Sequence, residues 1–565
     1  MRERGRGSYK PSRAIIMPGL FGYAVPNGSY NGCPALGKMR DLLIYRDCGH
    51  KSEAFFCKDG VNAGCCAPDF ENADERVYES SGTVCWFDGE IYNAYDLNIG
   101  LAALPDEPQS IPRFPASPAS SITAAYISGG LENFLRDADG CFSAVIYDSA
   151  KRRITLITDR YGFRHLYYSH YNGKFCWASE YKAFLAMPDF KIDINRQSVD
   201  EFMKFGGLCG DRTWFDGVFL LNPATVLTYD MRSGLIHTER YWSPDEIRPF
   251  TGKIDIEEYS EEWGRLFRLS VAERAGAGER VGVALGGGLG SRAVLAAMPP
   301  VFVTASGELS DEACKINAVT VCGRDRRDIR FAAAALKGAK HHIFHLNADG
   351  WFERAAMGVW AADAARPLST LFGIEHFDAF SNLFDVCLSG GGAYEFDGIG
   401  TPAPQTVRRR LPHSGFRLGE SFFKVRMPFF DNALYEFTAA LPRPLLKNGV
   451  FLQKAFSHNF GPYYSKNLVV NLPPFMLKAG AAYKKTMSAL QRFGFPARKC
   501  SYISEMFRHE GNRRLAESIL SDKNAVYPDY ISTPAPADFA KGRNMETVCR
   551  ILTFEIWMRM VGHIG

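Results

Sequence analysis

The sequence predicts an α+β domain of layered sheets followed by an α/β domain with a parallel sheet. Short β-branched and aromatic runs, separated by Asp, Asn and Gly, fill the chain up to about residue 242. After Pro244, helical periodicity alternates with short apolar runs, as in strand and crossover-helix units. We therefore expect a basic arm over residues 1–16, a first domain over 17–244 and a second domain over 245–565, mainly helical from about residue 421.

Composition excludes several classes of protein. A content of 46% hydrophobic residues over 565 positions indicates globular domains, and a net charge of +4 gives no indication of nucleic acid or an anionic membrane. The fourteen cysteines are scattered, and Cys65-Cys66 has no second pair at a zinc spacing. No apolar run reaches the roughly 18 residues of a membrane span. We expect a cytoplasmic protein with reduced thiols, whose basic arm is either flexible or precedes a true start at Met17.

In the first domain, four runs predict strands of an antiparallel sheet. They are Cys141 to Tyr147, Ile154 to Thr158, His165 to Tyr168 and Phe175 to Ser179. Leu131 to Leu135 and Glu180 to Leu185 have helical spacing on either side, which makes the domain α+β.

The second domain opens with a predicted amphipathic helix, Glu257 to Ala275. Further helices are predicted over Ser291 to Ala297 and Asp328 to Lys337, and an exposed loop over Thr401 to Glu420. The predicted strands are Val281 to Leu285, Val301 to Thr304, Ile343 to Leu346 and Val386 to Leu388. Strands that alternate with helices predict a parallel sheet.

Two glycine clusters follow predicted strands of this sheet. The first comprises Leu285, Gly286, Gly287, Gly288 and Ser291, and the second begins at Ser389 and Gly390. Backbone amides at such a turn, beside a helix N-terminus, can hold a pyrophosphate. An ordinary tight turn in the first case and a flexible loop in the second are the alternatives.

Two other clusters favour structural roles. The acidic segment Phe87 to Asn93 is predicted to join a turn to a helix start, and a capped hairpin is favoured over a substrate-binding turn. His341, His342 and His345 lie on a predicted strand where their side chains do not converge, so a solvated strand end is favoured over a metal site.

Taken in the order in which they occur along the chain, several segments of both predicted domains resemble the glutamine-dependent asparagine synthetase family. Met17 to Gly22 is similar to its opening Met-Cys-Gly-Ile-Phe-Gly, and Asp88 to Asn93 to its Asn-Gly-Glu-Ile-Tyr-Asn. Its later first-domain blocks match Asp139 to Asp148 and Asp159 to Glu180. In the second domain, its Ser-Gly-Gly-x-Asp-Ser loop falls on Gly286 to Ser291, its second glycine block on Ser389 to Gly400, and its Arg-x-Pro-Phe-x-Asp element on Arg426 to Asp431.

The resemblance implies an N-terminal-nucleophile (Ntn) hydrolase sandwich, of the glutaminase type, followed by an ATP-pyrophosphatase (PP-loop) domain. Family members use ATP and Mg²⁺ to adenylate a carboxylate and displace AMP with an amine. By this resemblance, Arg426 and Asp431 lie on the acceptor side. Lys447 and Lys454 are the candidates for the lysine that stabilises adenylation.

Several matched positions depart from the family. Pro18 stands at the nucleophilic cysteine and has no side-chain nucleophile, and Asp88 replaces an oxyanion-hole asparagine. We therefore expect Pro18, Asp88, Gly89 and Glu90 to be remnants of a glutaminase pocket that no longer works. The family's two Mg²⁺ positions are occupied by residues without a carboxylate, Gly290 and Tyr394, so Mg²⁺ binding is in doubt.

Asp397 and Glu395 lie close enough in sequence to supply the missing carboxylates. Two functions remain open on this evidence. The first is a pseudoenzyme or nucleotide-binding carrier. The second is a glutamine-independent amide ligase, similar to the cyclases of lasso peptides or to amidotransferases of secondary metabolism or glycan modification. Either accommodates a small-molecule or peptide substrate, and a homodimer or a partner enzyme is possible.

Overall fold

The computed structural model describes most of both predicted domains. The described residues are 19–26, 34–44, 52–68, 76–93, 117–276, 279–298, 302–303, 309–310, 316–322, 339–393, 417–446, 449–461, 501–533 and 535–563. The basic arm, the predicted helix Asp328 to Lys337 and most of the loop Thr401 to Glu420 lie outside these residues.

The first domain is built on two six-stranded antiparallel sheets. Their strands are β1 Gly19–Ala24, β2 Ser52–Lys58, β3 Val61–Ala67, β4 Val77–Ser80, β5 Thr83–Ile91, β6 Gly140–Asp148, β7 Arg153–Thr158, β8 Tyr167–Tyr171, β9 Lys174–Ala178, β10 Val218–Leu220, β11 Thr225–Asp230 and β12 Ile236–Arg240. One sheet has the order β10-β8-β9-β1-β3-β2 and the other β12-β11-β7-β6-β5-β4. An apolar core that includes Trp86, Trp177 and Tyr229 is drawn from both. The predicted α+β class of this domain is therefore confirmed.

Four helices accompany these sheets: α1 Pro34–Leu43, α2 Pro118–Ile127, α3 Leu131–Asp137 and α4 Arg196–Phe205. Local capping explains two of the starts, because Ser117 accepts a hydrogen bond from the Ser120 amide and Asn195 accepts one from the Ser198 amide. Segment Tyr181–Ala186, predicted as a helix, is a 3₁₀ helix.

The second domain contains a five-stranded sheet whose neighbouring strands are all parallel. Its strands are β13 Val281–Ala284, β16 Asn317–Cys322, β17 Lys340–His345, β18 Val386–Ser389 and β19 Lys424–Arg426. The order is β17-β16-β13-β18-β19. The order reverses at β13 and β18, which makes the carboxyl ends of these two strands the expected ligand edge.

Helices from the second domain surround this sheet. They are α5 Ile256–Ala275, α6 Leu289–Ala297, α7 Trp351–Ala361, α8 Phe377–Ser381, α9 Arg417–Gly419, α10 Asn432–Ala440, α11 Arg443–Leu446, α12 Val450–Phe460, α13 Ser501–Met506, α14 Glu510–Leu520, α15 Ala535–Ala540 and α16 Met545–Gly562. Asp255 caps α5 by accepting hydrogen bonds from the Glu257 and Glu258 amides. The prediction of a mainly helical part after residue 421 is confirmed for the described residues.

Two expectations about the second sheet are wrong. The run predicted as Val301 to Thr304 forms β14, Phe302–Val303, which pairs antiparallel with β15, Leu309–Ser310, in a separate sheet. Strand β16 was not predicted from the sequence, and it pairs in parallel with β13.

The two domains share their apolar cores. One cluster packs Phe21, Tyr181 and Trp214 of the first domain with Trp351 and Trp557 of the second. A second cluster joins the two domains around Tyr161, Phe163 and Phe430. Because aromatic side chains of both domains are buried against each other, the two domains form one packed unit.

Two expectations drawn from composition can be compared with the structure. Nine described cysteines are not part of a disulfide bond, as expected, but Cys57 is disulfide-bonded. Reduced thiols are therefore a wrong expectation for Cys57. Within the described residues, no helix combines the length and the apolar character that crossing a membrane requires.

Candidate functional site

The acidic segment after Phe87 is a strand. Asp88, Gly89 and Glu90 belong to β5, where they pair with Ser143, Phe142 and Cys141 of β6. The expected turn and helix start is therefore wrong. A Cβ at position 89 would lie 2.0 Å from the Cys141 carbonyl oxygen, so the residue has to be glycine for the strands to approach this closely.

Asp88 is fully buried and forms an ion pair with Arg76. Arg164 lies 3.9 Å from the other Asp88 oxygen and pairs with Glu420 of the second domain at 2.9 Å. An ionised carboxylate is stable at this depth only because cations compensate it. The position that the resemblance assigns to an oxyanion-hole asparagine thus holds a carboxylate, which lies between two arginine side chains.

The turn before Arg164 is organised by another buried carboxylate. Asp159 accepts hydrogen bonds from the amides of Phe142, Tyr161, Gly162, Phe163 and Arg164, at 2.8–3.2 Å. Burial raises the pKa of Asp159 to about 6 although these amides lower it. The turn fixes the position from which Arg164 reaches both Asp88 and Glu420.

The nucleophile position, Pro18, lies outside the described residues, but its neighbour Gly19 begins β1. The Cys66 thiol, on the adjacent strand β3, lies 3.8 Å from the Gly19 carbonyl oxygen. Burial raises the pKa of this thiol above its ordinary value. Since the thiolate is the nucleophilic form, Cys66 does not replace the missing cysteine at neutral pH.

Glu90 forms an ion pair across the domain boundary. Arg426 donates two hydrogen bonds to its carboxylate, both at 2.7 Å. Lys424 lies 3.2 Å from the same carboxylate, and both cations also contact Glu279. Although burial opposes ionisation, Arg426 and Lys424 lower the pKa of Glu90 to about 2. The Arg426 guanidinium is thus paired with two carboxylates, Glu90 and Glu279, and its acceptor-side role stays a prediction.

Asp431 is likewise part of the boundary. It caps α10 through the Leu434 amide at 2.9 Å and lies 3.1 Å from the buried Arg274. Arg274 also donates to Asp139 of the first domain at 2.7 Å. Both carboxylate oxygens of Asp431 therefore have partners within the protein, and its acceptor-side role stays a prediction.

Within the described residues, one group of three possible metal ligands comes together: Asp139, Glu273 and Asp431. The Arg274 guanidinium already compensates two of these carboxylates, so we assign no metal there. His341 and His342 contact different partners, Thr320 and Asn317, which agrees with the predicted structural role.

The first glycine turn follows β13 and leads into α6. Ser291 holds the turn together, because its hydroxyl oxygen accepts a hydrogen bond from the Gly286 amide at 3.0 Å and lies within 3.4 Å of the Gly286 and Gly288 carbonyl oxygens. Leu285 donates its amide proton to the Val319 carbonyl at 2.8 Å, which ties the turn to β16. The turn, which includes Gly287, thus lies at the edge of the sheet where ligands usually bind. The Gly286 amide already donates a hydrogen bond to Ser291.

The second glycine turn lies directly against the first. A Cβ at position 290 would lie 2.5 Å from the Gly390 carbonyl oxygen and 2.6 Å from the Ala393 Cβ. A Cβ at position 390 would lie 2.1 Å from the Ser291 nitrogen. Ser389, at the end of β18, accepts a hydrogen bond from the Gly391 amide at 3.1 Å. The two turns are therefore in contact, and no room is left for the family's aspartate at position 290.

Lys454 is exposed on α12 and lines a groove with residues of α5, and no glycine-turn residue lines that groove among those described. The role of Lys454 in adenylation stays a prediction. Asp397, Glu395 and Tyr394 lie outside the described residues.

Sequence reasoning missed the cations that fill the boundary between the domains. They are Arg164, Arg274 and Lys424, and Arg76, which pairs with Asp88 inside the first domain, was missed as well. For Arg274 a signal existed, since a charged residue on the buried side of an amphipathic helix requires a partner. For Lys424, the sequence carried no such signal, because β19 is too short to show a periodic pattern.

Comparison with known proteins identifies the first domain. Residues 17–242 match the family model described as glutamine amidotransferase domain. This range agrees closely with the predicted first domain and contains β1 to β12.

Curated relatives point in the same direction. The chain is 28% identical over 224 residues to asparagine synthetase [glutamine-hydrolyzing] 3 of Bacillus subtilis, covering 39% of this chain and 34% of that relative. It is 23% identical over 290 residues to asparagine synthetase [glutamine-hydrolyzing] 2 of the same organism, covering 49% and 38%. Amidase chry2 of Gibberella zeae is 24% identical over 302 residues, covering 51% and 43%.

The chain thus spans between 34% and 43% of the length of these three relatives. Residues 17–242 thus match a glutamine amidotransferase domain, and the chain is similar to asparagine synthetases over 39% and 49% of its length.

Proposed function

We propose that this protein is a non-hydrolytic member of its family, in which the amidotransferase domain serves as a platform for the second domain. One observation carries the proposal: both acidic remnants of the glutamine pocket, Asp88 and Glu90, are ion-paired with buried arginines. A glutaminase needs donors where the oxyanion develops, and Asp88 places an acceptor there. The arginines that compensate it fill the space beside the strand.

The second domain supports the pseudoenzyme side of the proposal. We propose that it is an ATP-pyrophosphatase domain whose glycine turns are retained as a packing feature. A hard cation such as Mg²⁺ needs oxygen ligands, and the described residues of the two turns offer no carboxylate. Mg²⁺ does not fit this part of the site, because a side chain at position 290 would collide with Gly390.

A second candidate is a glutamine-independent amide ligase. It is favoured by the position of both glycine turns at the point where the strand order reverses, the usual ligand edge of an α/β sheet. In this alternative, ATP would contact Leu285, Gly286, Gly287, Gly288, Ser291, Ser389 and Gly390, and Asp397 or Glu395 would supply the metal ligand. The amine would come from a peptide or a small molecule.

Two assays on the full chain test the proposal. Glutamine hydrolysis is followed as glutamate and ammonia release, and we expect none above a heat-treated sample. Release of AMP and pyrophosphate from ATP and Mg²⁺ is followed with amino-acid and peptide acceptors, and we expect none. Glutamate release at a normal enzymatic rate would overturn the platform role.

The ligase alternative has its own readout. AMP release that depends on an acceptor and stops in Ser291→Ala, but not in Ser518→Ala, would establish that candidate. Ser518 is a suitable control because it is a helical serine on α14, outside the sheet edge. ATP binding in calorimetry without turnover would leave the carrier role as the function of the second domain.

A further inference from the structure

A buried ion cluster joins the first domain to the turn that follows α7. Lys182, in the 3₁₀ helix of the first domain, pairs with Glu180 and lies 3.0 Å from Asp363 of the second domain. The three side chains are at most 2% exposed. Two carboxylates therefore share the Lys182 ammonium at a depth that solvent does not reach.

The turn that carries Asp363 has an unusual backbone. Asp363 and Ala364 are consecutive residues with φ of +47° and +49°, in the left-handed region that a Cβ disfavours. First-domain side chains hold both carbonyls, because the Tyr181 hydroxyl donates to that of Asp363 and the Trp214 indole donates to that of Ala364 at 3.2 Å. Strained backbone persists only where its surroundings hold it. The conformation of this turn is therefore coupled to its contact with the first domain.

The Asp363 carboxylate is only partly compensated. One of its oxygens accepts a hydrogen bond from the Lys182 ammonium, and the other accepts one from the Tyr181 amide at 3.0 Å. The same ammonium also donates to Glu180 and to the Trp360 carbonyl, the latter at 3.1 Å. Since the charge of one ammonium is divided among these acceptors, ionisation of Asp363 is costly at this depth.

The charged groups that act on Asp363 come from the 3₁₀ helix. They are Lys182 and Glu180, and the Cys66 thiol of β3 in turn faces Glu180. The pKa of Asp363 is raised from 3.8 to about 7, chiefly by burial and also by Glu180, although Lys182 lowers it.

The helices of the second domain cover the cluster with uncharged rings. Trp360 of α7 lies over the Lys182 ammonium at 5.4 Å and contacts Trp557 of α16 at 5.3 Å. Trp557 also contacts the Tyr181 ring at 5.7 Å. Indole rings bring burial and no charge, so they favour a neutral carboxyl group beside them.

We propose that the contact between the Asp363 turn and the first domain is a proton-sensitive latch. With the Asp363 carboxyl group neutral, the turn is held against the first domain. With the carboxylate ionised, a second buried negative charge lies beside Glu180 and the contact weakens. The latch links the pairing of the two domains to pH near neutrality.

Protonation of Asp363 sets the direction of this pH dependence. Between about pH 3.8 and pH 7, the folded chain holds a proton at Asp363 that the unfolded chain has lost. The stabilisation is therefore fully present below about pH 3.8 and is lost as the pH rises through 7. Within this interval, each pH unit should increase the unfolding constant by up to about tenfold through Asp363.

Urea denaturation of the full chain and of Asp363→Asn, between pH 5 and pH 8, tests the proposal. Asparagine is a neutral substitute of nearly the same shape, so contributions from other groups cancel in the comparison. The ratio of the wild-type unfolding constant to that of the variant should rise at least about tenfold from pH 5 to pH 8. Asp193→Asn, at an exposed position before α4, is the matched control and should follow the wild type at every pH.

An ordinary ion pair gives a different result. If Asp363 were ionised throughout this range, the variant would be less stable by the same factor at every pH, and that outcome overturns the proposal. Failure of Asp363→Asn to fold at pH 6 also overturns it, because a neutral side chain is the form that the latch requires.

Hydrogen exchange locates the change. Between pH 6 and pH 8, exchange at residues 359–366 should accelerate at least about tenfold more in the wild type than in Asp363→Asn. Equal acceleration in the two proteins overturns the assignment to this turn. The result does not depend on the glutamine or ATP assays, since neither Asp363 nor Lys182 belongs to the glycine turns or to the residues assigned to the glutaminase pocket.

Discussion

At the scale of single residues, buried charges organise strand β5. Asp88 lies beside two arginines, Arg76 and Arg164, and forms a buried ion-pair site with them. Removing one partner of a buried pair leaves the other uncompensated, which costs more than the pair contributes. The stability of this part of the first domain therefore depends on Asp88.

Restoring the family's asparagine should destabilise this protein. Asp88→Asn leaves the Arg76 guanidinium without its buried carboxylate, and we expect a loss of about 3 kcal/mol in the free energy of unfolding. Urea denaturation followed by tryptophan fluorescence measures it. Glutamine hydrolysis should remain absent, and a stable, hydrolytic variant would contradict the assignment.

Glu90 gives a pH-dependent prediction. Its pKa of about 2 in the folded protein lies below its ordinary value of 4.5. Its contribution is therefore fully present above about pH 4.5 and is lost as the pH falls towards 2. Glu90→Gln should lose about 2 kcal/mol at pH 7, and the difference from the wild type should shrink below pH 4.

Thermal unfolding between pH 3 and pH 7 measures this difference. Glu239→Gln is the matched control, because Glu239 is exposed on β12. A Glu90→Gln difference that stays constant across this range would contradict the ion-pair assignment.

At the scale of elements, the two glycine turns of the second domain are packed against each other. Gly290 starts α6 against the Gly390 carbonyl, and Gly392, with φ of +94°, lies against Phe430. The absence of side chains at these positions lets the turns approach to contact distance. The glycines of these turns are therefore required for packing, whether or not the turns bind a ligand.

Gly290→Ala tests that packing. The new methyl would lie 2.5 Å from the Gly390 oxygen, so we expect a loss of about 2 kcal/mol or more, measured as a lower melting temperature. Gly37→Ala is the control, since nothing lies within 4 Å of the added methyl and the position is helical. It should be neutral or stabilise by about 0.5–1 kcal/mol. Equal melting temperatures for the two variants would contradict the contact between the turns.

At the scale of the whole molecule, the two domains are joined by buried ion pairs as well as by shared apolar cores. Lys182 is fully buried and contacts Glu180 of its own domain and Asp363 of the second domain, the latter at 3.0 Å. Arg160 pairs with Glu436 across the same boundary. Such an interface couples the unfolding of the domains.

Differential scanning calorimetry should therefore show one cooperative transition for the full chain. Lys182→Met leaves two buried carboxylates uncompensated at the boundary, and we expect a loss of about 3–5 kcal/mol with separation into two transitions. Lys523→Met, an exposed lysine, should retain the single transition. Two transitions in the wild-type protein would contradict the coupling.

The sequence by itself determined the order of the domains, most of the strands and the two glycine turns, because local periodicity and turn residues encode them. It also located the substituted positions Asp88 and Gly290. Only the tertiary structure decided what fills those positions. Glu90 and Arg426 are 336 residues apart in the chain, and periodicity carries no information on which charges meet at that separation. Likewise, Lys454 lies on an external groove because helix packing, and not its place in the sequence, determines which surface it faces.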